Sequence, residues 1–238
     1  GWAPAIILAL LLGFNFLSQY DFLTPPNKAY GLNYENEPAK FNQTTLNFHL
    51  NKENYNQDSL HTIKILEKWK IKNTIDDKKP KMVFINTTGG GMRSALWSFC
   101  AIQYCDSILN GKLLNQTQLI SGSSGGLIGL AYLRELMLRE QRNEISNFHE
   151  SSYRNDMAKD ILNRVAFYVS VNDMLLRLQT FDDNGFTYRK DRGYAFEKQL
   201  NENTRGYLNR RLNEYYLPEY NSEIPMLITN PTIVNNGK

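Results

Sequence analysis

The fold of this chain is decided by residues 82–139, where two strand-turn-helix patterns follow one another. The first pattern reads MVFIN at 82–86, TTGGG at 87–91 and MRSALWSFCAIQYCDSI at 92–108. The second reads TQLIS at 117–121, GSSGG at 122–126 and LIGLAYLRELMLR at 127–139. The short apolar runs predict strands buried on both faces, and the helical spacing of apolar residues after each turn predicts a helix. Two such units in series predict an α/β domain with a mainly parallel sheet.

The second turn carries the clearest chemical candidate, because GSSGG satisfies the pattern G-x-S-x-G around Ser124. A serine on a strained strand-to-helix turn needs neighbours without a Cβ atom, which Gly122, Gly125 and Gly126 supply. Ser124 is then exposed at a helix start as a nucleophile, and the Gly125 amide can donate to a developing oxyanion. Glycine-serine clusters also form linkers, but an apolar strand and an apolar helix flank this one. The context favours a nucleophile turn over a linker or a purely structural turn.

The first turn offers three consecutive glycines, Gly89, Gly90 and Gly91, before a helix. Amides at a helix start bind anions in general, so a phosphate cradle is the alternative interpretation. Neither a following G-K-[ST] nor a G-x-G-x-x-G pattern with a downstream acid supports that alternative. With a serine nucleophile on the next unit, the three glycines are predicted to form an oxyanion loop. Arg93 is predicted to brace this loop or to attract an anionic substrate, with a solvated surface arginine as the alternative.

The two turns together resemble the patatin-like phospholipase family. The resemblance rests on G-G-G-x-R after a first buried strand and on G-x-S-x-G about thirty residues later, and it extends from about Met82 to the end of the chain. Residues 191–200 (DRGYAFEKQL) and 224–237 (IPMLITNPTIVNNG) are also similar to family segments, although they are less diagnostic. The resemblance implies a patatin-like three-layer α/β fold with a mainly parallel central sheet. It also implies hydrolysis of lipid esters by a Ser-Asp dyad.

The aspartate of that dyad is the missing part of the resemblance. In the family it lies in a D-G-[GA] motif downstream of the strand that PMLIT resembles, and this chain contains no D-G dipeptide. The chain starts with Gly1 and stops soon after an apparent strand, so we expect a truncated domain whose dyad aspartate lies beyond residue 238. We also expect that these residues alone are inactive. Asp173, Asp182 and Asp183 are weaker alternatives for the base, and none of His49, His61 and His149 has the position of an α/β-hydrolase histidine.

The sequence predicts three regions: residues 1–18, 19–78 and 79–238. The first begins with the apolar run GWAPAIILALLLGFNFL and is predicted to be a transmembrane helix, with a signal-peptide remnant or a buried helix as alternatives. The second is predicted to be a polar connection with a short strand at 45–50 and an amphipathic helix at 59–72. The third is the acyl hydrolase domain.

Within the third region, further elements are predicted beyond the two βα units. Residues 156–178 and 194–216 are predicted to be largely helical, and residues 181–193 (FDDNGFTYRKDRG) are predicted to be an irregular loop. Residues 225–229 (PMLIT) are predicted to form another buried strand.

Composition limits the partners of this protein. The net charge of +3 comes from 27 basic and 24 acidic residues, a balance that argues against nucleic-acid binding. Cys100 and Cys105 match neither a paired CxxC metal site nor a secreted disulfide framework, which favours a reducing compartment. No clustered ligand set is visible in the sequence, so no metal and no cofactor is expected. The expected partners are a lipid ester substrate and a membrane.

The sequence therefore predicts a serine acyl hydrolase that cleaves a phospholipid, a lysophospholipid or an acylglycerol. Two other functions stay open. One is a catalytically silent patatin-like domain that binds lipid or acts as a scaffold, and the other is a serine hydrolase of soluble esters or peptides.

Overall fold

The computed structural model describes residues 1–17, 35, 37, 40, 42–173 and 178–230. Its helices are α1 (Ala3–Leu17), α2 (Gln43–His49), α3 (Lys52–Asn73), α4 (Gly91–Ile108), α5 (Lys112–Gln116), α6 (Ser124–Gln141), α7 (Ser151–Ala158), α8 (Leu162–Tyr168), α9 (Arg192–Asn203) and α10 (Tyr216–Tyr220). A π-helical turn at Val169–Asp173 and a 3-10 turn at Leu212–Tyr215 complete the helical elements among these residues. The strands are β1 (Val83–Thr87), β2 (Thr117–Gly122), β3 (Thr180–Asp183), β4 (Phe186–Arg189) and β5 (Met226–Thr229).

The chain divides into two compact units. One contains the described residues of Gly1–Lys40 and Asp160–Glu202, and the other contains those of Phe41–Lys159 and Asn203–Lys238. Both strand-turn-helix patterns lie in the second unit, which we call the sheet unit. Residues 160–202 therefore group apart from the rest of the predicted 79–238 region.

The centre of the sheet unit is a parallel sheet with the strand order β1-β2-β5 in the described residues. Its register pairs Thr87 with Gly122, and Gly122 with Thr229, so the carboxyl ends of the strands lie side by side. The predicted α/β class and parallel sheet are confirmed. Because parallel strands connect through right-handed crossovers, α4 and α6 both lie on one face of this sheet.

The covered face of the sheet holds the core. Helices α4 and α6 pack closely on each other, and Phe99, Leu130 and Leu133 are buried almost completely between them and the sheet. Ile85 and Ile120 point from β1 and β2 into the same cluster. This burial of apolar surface is the main force that holds the two βα units together.

The opposite face of the sheet is largely open among the described residues, which corrects one prediction. Phe84 on β1 is 63% exposed and Ile228 on β5 is 50% exposed, so these strands are not buried on both faces. Alternate residues of a strand point to opposite faces, and only one face has helices over it here. The described residues form a helix layer and a sheet layer, and they do not show the third layer of the predicted fold.

The segment before β1 is helical where a strand was predicted. Residues 45–50 fall in α2, whose first turn is capped by the Asn42 side chain accepting from the Thr45 amide at 2.9 Å. The amphipathic helix predicted at 59–72 is present as α3, but it begins at Lys52 behind the cap of Asn51. Helix α3 buries Ile65 and Trp69 in the sheet unit, and the Ile65 carbonyl accepts a hydrogen bond from Ser222 Oγ at 2.9 Å.

The other unit contains α1, α8, an antiparallel hairpin and most of α9. The hairpin pairs β3 with β4, so the loop predicted for residues 181–193 is wrong. Asn184 and Gly185 form its tight turn at φ values of 48° and 83°, the left-handed conformation that such a turn requires.

Helix α1 confirms helical structure at the apolar N-terminal run, but the predicted transmembrane helix is not supported. The helix has 15 residues and a length of about 22 Å, whereas a hydrocarbon core is about 30 Å thick. Among the residues that the structure describes, no helix is both long and apolar enough to cross a bilayer.

Candidate active site

Ser124 lies at the carboxyl edge of the sheet, where β2 ends and α6 begins. Ser124 is exposed, and its φ of +53° is a left-handed conformation that serine seldom adopts. The preceding Ser123 is still extended, with φ −142° and ψ 159°, so the chain reverses direction sharply at Ser124. This is the strained turn that the G-x-S-x-G pattern predicted, and it presents the hydroxyl at a helix N-terminus.

The glycine loop of the first strand-turn-helix pattern, Gly89–Gly91, lies directly beside this serine. A Cβ atom built on Gly89 would stand 3.2 Å from the Cβ of Ser124 and 3.6 Å from its Oγ. The next two glycines turn the chain into α4 at positive φ, 142° for Gly90 and 64° for Gly91. The fold thus brings together the two motifs that the sequence places about thirty residues apart.

The two turns are packed backbone against backbone. A Cβ at Gly125 would overlap the carbonyl of Gly91, and a Cβ at Gly126 would overlap the carbonyl of Thr88. Ser98 Oγ joins the two turns' βα units, since it donates to the Gly126 carbonyl at 2.8 Å, while Ser94 Oγ fixes the first turn on its own helix by donating to the Thr88 carbonyl at 3.1 Å. The relative position of the loop and Ser124 is therefore fixed by direct contact.

Gly122, just before the turn, is held by contacts with Thr87 and Asn230. Gly122 lies against Thr87 so closely that a Cβ would collide with the Thr87 side chain and carbonyl. The Gly122 carbonyl, two residues before Ser124, accepts from the Asn230 backbone amide at 3.3 Å and from its Nδ2 at 3.1 Å. Sequence reasoning missed Asn230. Its only signal was an amide side chain directly after the PMLIT strand.

Arg93 occupies the first turn of α4 and is exposed, with no ion pair or hydrogen bond among the described residues. Its backbone position is as predicted, beside the glycine loop. Bracing of that loop by the Arg93 side chain has no contact to support it here, so attraction of an anionic substrate stays a prediction.

Ser124 Oγ has no hydrogen-bond partner in the part of the chain that the structure describes. The one His-Asp pair among those residues joins His149 Nε2 to Asp106 Oδ2 at 3.0 Å. Asp106 lies fifteen residues along α4 from Gly91, a distance of about 22 Å at the rise of a helix, so this pair cannot serve Ser124. The His149 ring packs on Phe148 and faces the buried Asp106 carboxylate.

The other candidate bases named from the sequence make contacts elsewhere in the fold. His61 stacks on the rings of Tyr216 and Tyr220, and His49 ends α2. Asp173, Asp182 and Asp183 belong to the unit that contains the hairpin, where Asp182 accepts from Thr187 Oγ1 at 2.6 Å. None of these groups is brought to Ser124 within the sheet unit.

Buried charges inside α6 support the helix that carries Ser124. Glu135 is fully buried and pairs with Arg139 at 2.7 Å, while Tyr215 Oη donates to it at 2.7 Å. Burial, together with that hydrogen bond to Glu135, raises the pKa of Tyr215 above its ordinary value. Arg134 is buried as well and pairs with Glu219. These charges are paired within the fold, although Glu135 Oε1 and Arg139 Nε approach as an ion pair without hydrogen-bond geometry.

Among the described residues, no group of three or more His, Cys, Asp or Glu side chains could hold a metal ion. Cys100 and Cys105 are both free thiols. Comparison of the chain with protein-family models, with curated proteins and with solved structures found no match.

Proposed function

We propose that this protein is a serine acyl hydrolase of the patatin type, with Ser124 as nucleophile. The observation that carries the proposal is the contact between an exposed serine at φ +53° and the glycine loop, with 3.2 Å between a Gly89 Cβ position and the Ser124 Cβ. Residues in sparsely populated backbone conformations cluster at active sites, although buried Ser222 takes a similar φ of 56° in a turn of the fold. Ser124 differs from it in being exposed, at a helix start and beside the glycine loop.

The chemistry follows from the placement of the two turns. Ser124 Oγ attacks the carbonyl carbon of an ester and its proton passes to a general base, which the family resemblance assigns to a dyad aspartate. The amides of Gly90, Gly91 and Gly125 are the candidate donors to the carbonyl oxygen, which gains the negative charge. The alcohol leaves with a proton, and water then hydrolyses the acyl-enzyme.

A lipid ester is the proposed substrate, and a membrane surface is the proposed partner. The support besides the resemblance is α1, which carries no charged residue and exposes large apolar side chains, with Leu10 68% and Phe16 59% exposed. Exposed apolar surface of this extent marks an interaction site, and lipid would cover it. Flotation with phosphatidylcholine vesicles should weaken when Leu10 and Phe16 are changed to Ser.

The experiment that tests the nucleophile is covalent labelling of the complete protein with a fluorophosphonate, followed by peptide mass spectrometry. We expect the adduct on Ser124. Ser123 is the matched control, because it lies on the same turn and lacks a side-chain cap hydrogen bond. Labelling of Ser123 or of a distant serine would contradict the proposal, and absence of labelling would favour a silent lipid-binding domain.

The preference for lipid or soluble esters is measured in a separate experiment. Hydrolysis of phosphatidylcholine, lysophosphatidylcholine and triacylglycerol is compared with hydrolysis of a soluble p-nitrophenyl acetate. A preference for the short soluble ester would favour the hydrolase of soluble substrates over the lipid enzyme.

A further inference from the structure

A cavity lies at the opposite edge of the sheet from Ser124. It is an open cleft of about 750 Å³, formed by the end of α3, the segment that leads into β1, and α5 before β2. Strand β2 runs from Thr117 at this edge to Gly122 beside the active site, so about 17 Å of strand separate the two places. The cleft is therefore distinct from the candidate active site.

The charge on the walls of this cleft is strongly one-sided. Five lysines line it, Lys72, Lys78, Lys79, Lys81 and Lys112, and the acidic side chain among the lining residues is that of Asp76. The Lys72 ammonium is already engaged, because it donates to the carbonyls of Ser222 at 3.0 Å and Glu223 at 3.2 Å. The other four lysines are exposed and make no ion pair with any residue that the structure describes.

A tight backbone turn places Lys78 at the cleft. An isolated bridge pairs Ile75 with Lys78, with the Lys78 amide donating to the Ile75 carbonyl at 3.0 Å, and Asp76 and Asp77 take positive φ in the turn between them. Lys112 comes from α5, on a separate segment of the chain. Like charges gathered from two segments around one cleft oppose folding, and an anionic ligand would offset that repulsion.

We propose that this cleft binds a small ligand that carries two or more phosphate groups. Lysine is a point charge that binds phosphate without the planar, two-bond geometry of an arginine guanidinium. The volume lies within the range of about 300 to 1,000 Å³ of small-molecule sites, and four free ammonium groups match the charge of more than one phosphate. The phosphates belong either to a soluble compound or to a lipid headgroup, and the experiment distinguishes the two. The proposal is independent of the activity of Ser124.

The test is isothermal titration of the complete protein with inositol hexakisphosphate, and sedimentation with phosphatidylcholine vesicles that contain phosphatidylinositol bisphosphate. The variant Lys79→Gln/Lys81→Gln removes two lysines from the cleft. Lys52→Gln/Lys64→Gln is the matched control, since it removes the same charge from exposed positions on α3 that do not line the cleft. Circular dichroism and thermal melting establish that both variants are folded.

We expect the cleft variant to weaken binding at least about tenfold, because it loses two charge-assisted contacts, and the control variant to stay within about twofold. Binding of the soluble probe without binding to the vesicles, lost in the cleft variant, identifies a soluble ligand. Binding to the vesicles alone, with the same loss, identifies a lipid headgroup. Equal weakening in both variants, or no binding of either probe by the wild-type protein, overturns the proposal.

Discussion

The two glycine turns at the carboxyl edge of the sheet look alike in sequence but use their glycines for different reasons. In the first turn, Gly91 has open space around a Cβ position, and its φ of 64° is what requires glycine. In the second turn, a Cβ at Gly125 would overlap the Gly91 carbonyl, and its close packing is what requires glycine. Ser124, the residue before Gly125, adopts a positive φ although it has a Cβ atom.

The difference shows how the candidate site is assembled. The first turn supplies a loop of exposed amides whose shape is set by backbone conformation. The second turn supplies the backbone surface that this loop contacts, and the Ser98 hydroxyl joins the two through its hydrogen bond to the Gly126 carbonyl. Substitution of glycines in the two turns should therefore affect stability and catalysis in different proportions.

The largest effect is expected for Gly125→Ala. The new Cβ cannot avoid the Gly91 carbonyl unless the backbone of one turn moves, which should lower the free energy of unfolding by at least about 3 kcal/mol. Gly91→Ala is the matched comparison, because it meets no atom within 4 Å and costs about 1 to 2 kcal/mol from its left-handed φ alone. Urea denaturation measures both. Equal losses would mean that the two turns are not packed as described.

Gly90→Ala should affect both stability and catalysis. The φ of 142° lies in a region that only glycine adopts readily, and a Cβ would lie 2.9 Å from the Ser94 Cβ, so stability should fall by about 1 to 3 kcal/mol. If the Gly90 amide is an oxyanion donor, kcat should also fall by about a hundredfold to a thousandfold with little change in KM. A destabilised variant with a normal kcat would reject the oxyanion role of this loop.

Ser124→Gly should have the smallest effect on stability, and in the opposite direction. Glycine accepts the φ of 53° without strain, and after its larger loss of backbone entropy the net gain should be about 0.5 to 1 kcal/mol. Thermal melting measures it, with Ser123→Gly as the control, because Ser123 has an extended φ and gains nothing from the change. Equal shifts in the two variants would show that Ser124 carries no special strain.

The sequence predicted the two βα units well because their signals are local. β1, α4 and β2 begin and end within one or two residues of the predicted positions, and the glycine turns with their apolar flanks specify them independently of the rest of the chain. Helix α6 begins at Ser124, three residues before the apolar run. The position of Ser124 at this turn followed from the same local pattern.

The failures have identifiable physical causes. The hairpin at residues 180–189 was missed although Asn184-Gly185 is a strong two-residue turn signal between alternating residues. The exposure of Phe84 and Ile228 depends on what covers a sheet face, which no pattern within a strand encodes. The contacts of Asn230 with Gly122, and of His149 with Asp106, join residues far apart in sequence, so they require the fold to be known.

The central claim is that Ser124 is a nucleophile, and turnover of a p-nitrophenyl acyl ester by the complete protein tests it most directly. We predict that Ser124→Ala lowers kcat by at least about 1,000-fold, while its melting temperature stays near that of the wild type because the exposed hydroxyl makes no hydrogen bond with the described residues. Ser123→Ala, the neighbour on the same turn, should keep kcat within about tenfold. Unchanged turnover by folded Ser124→Ala, or no measurable turnover by the wild-type protein, would contradict the account.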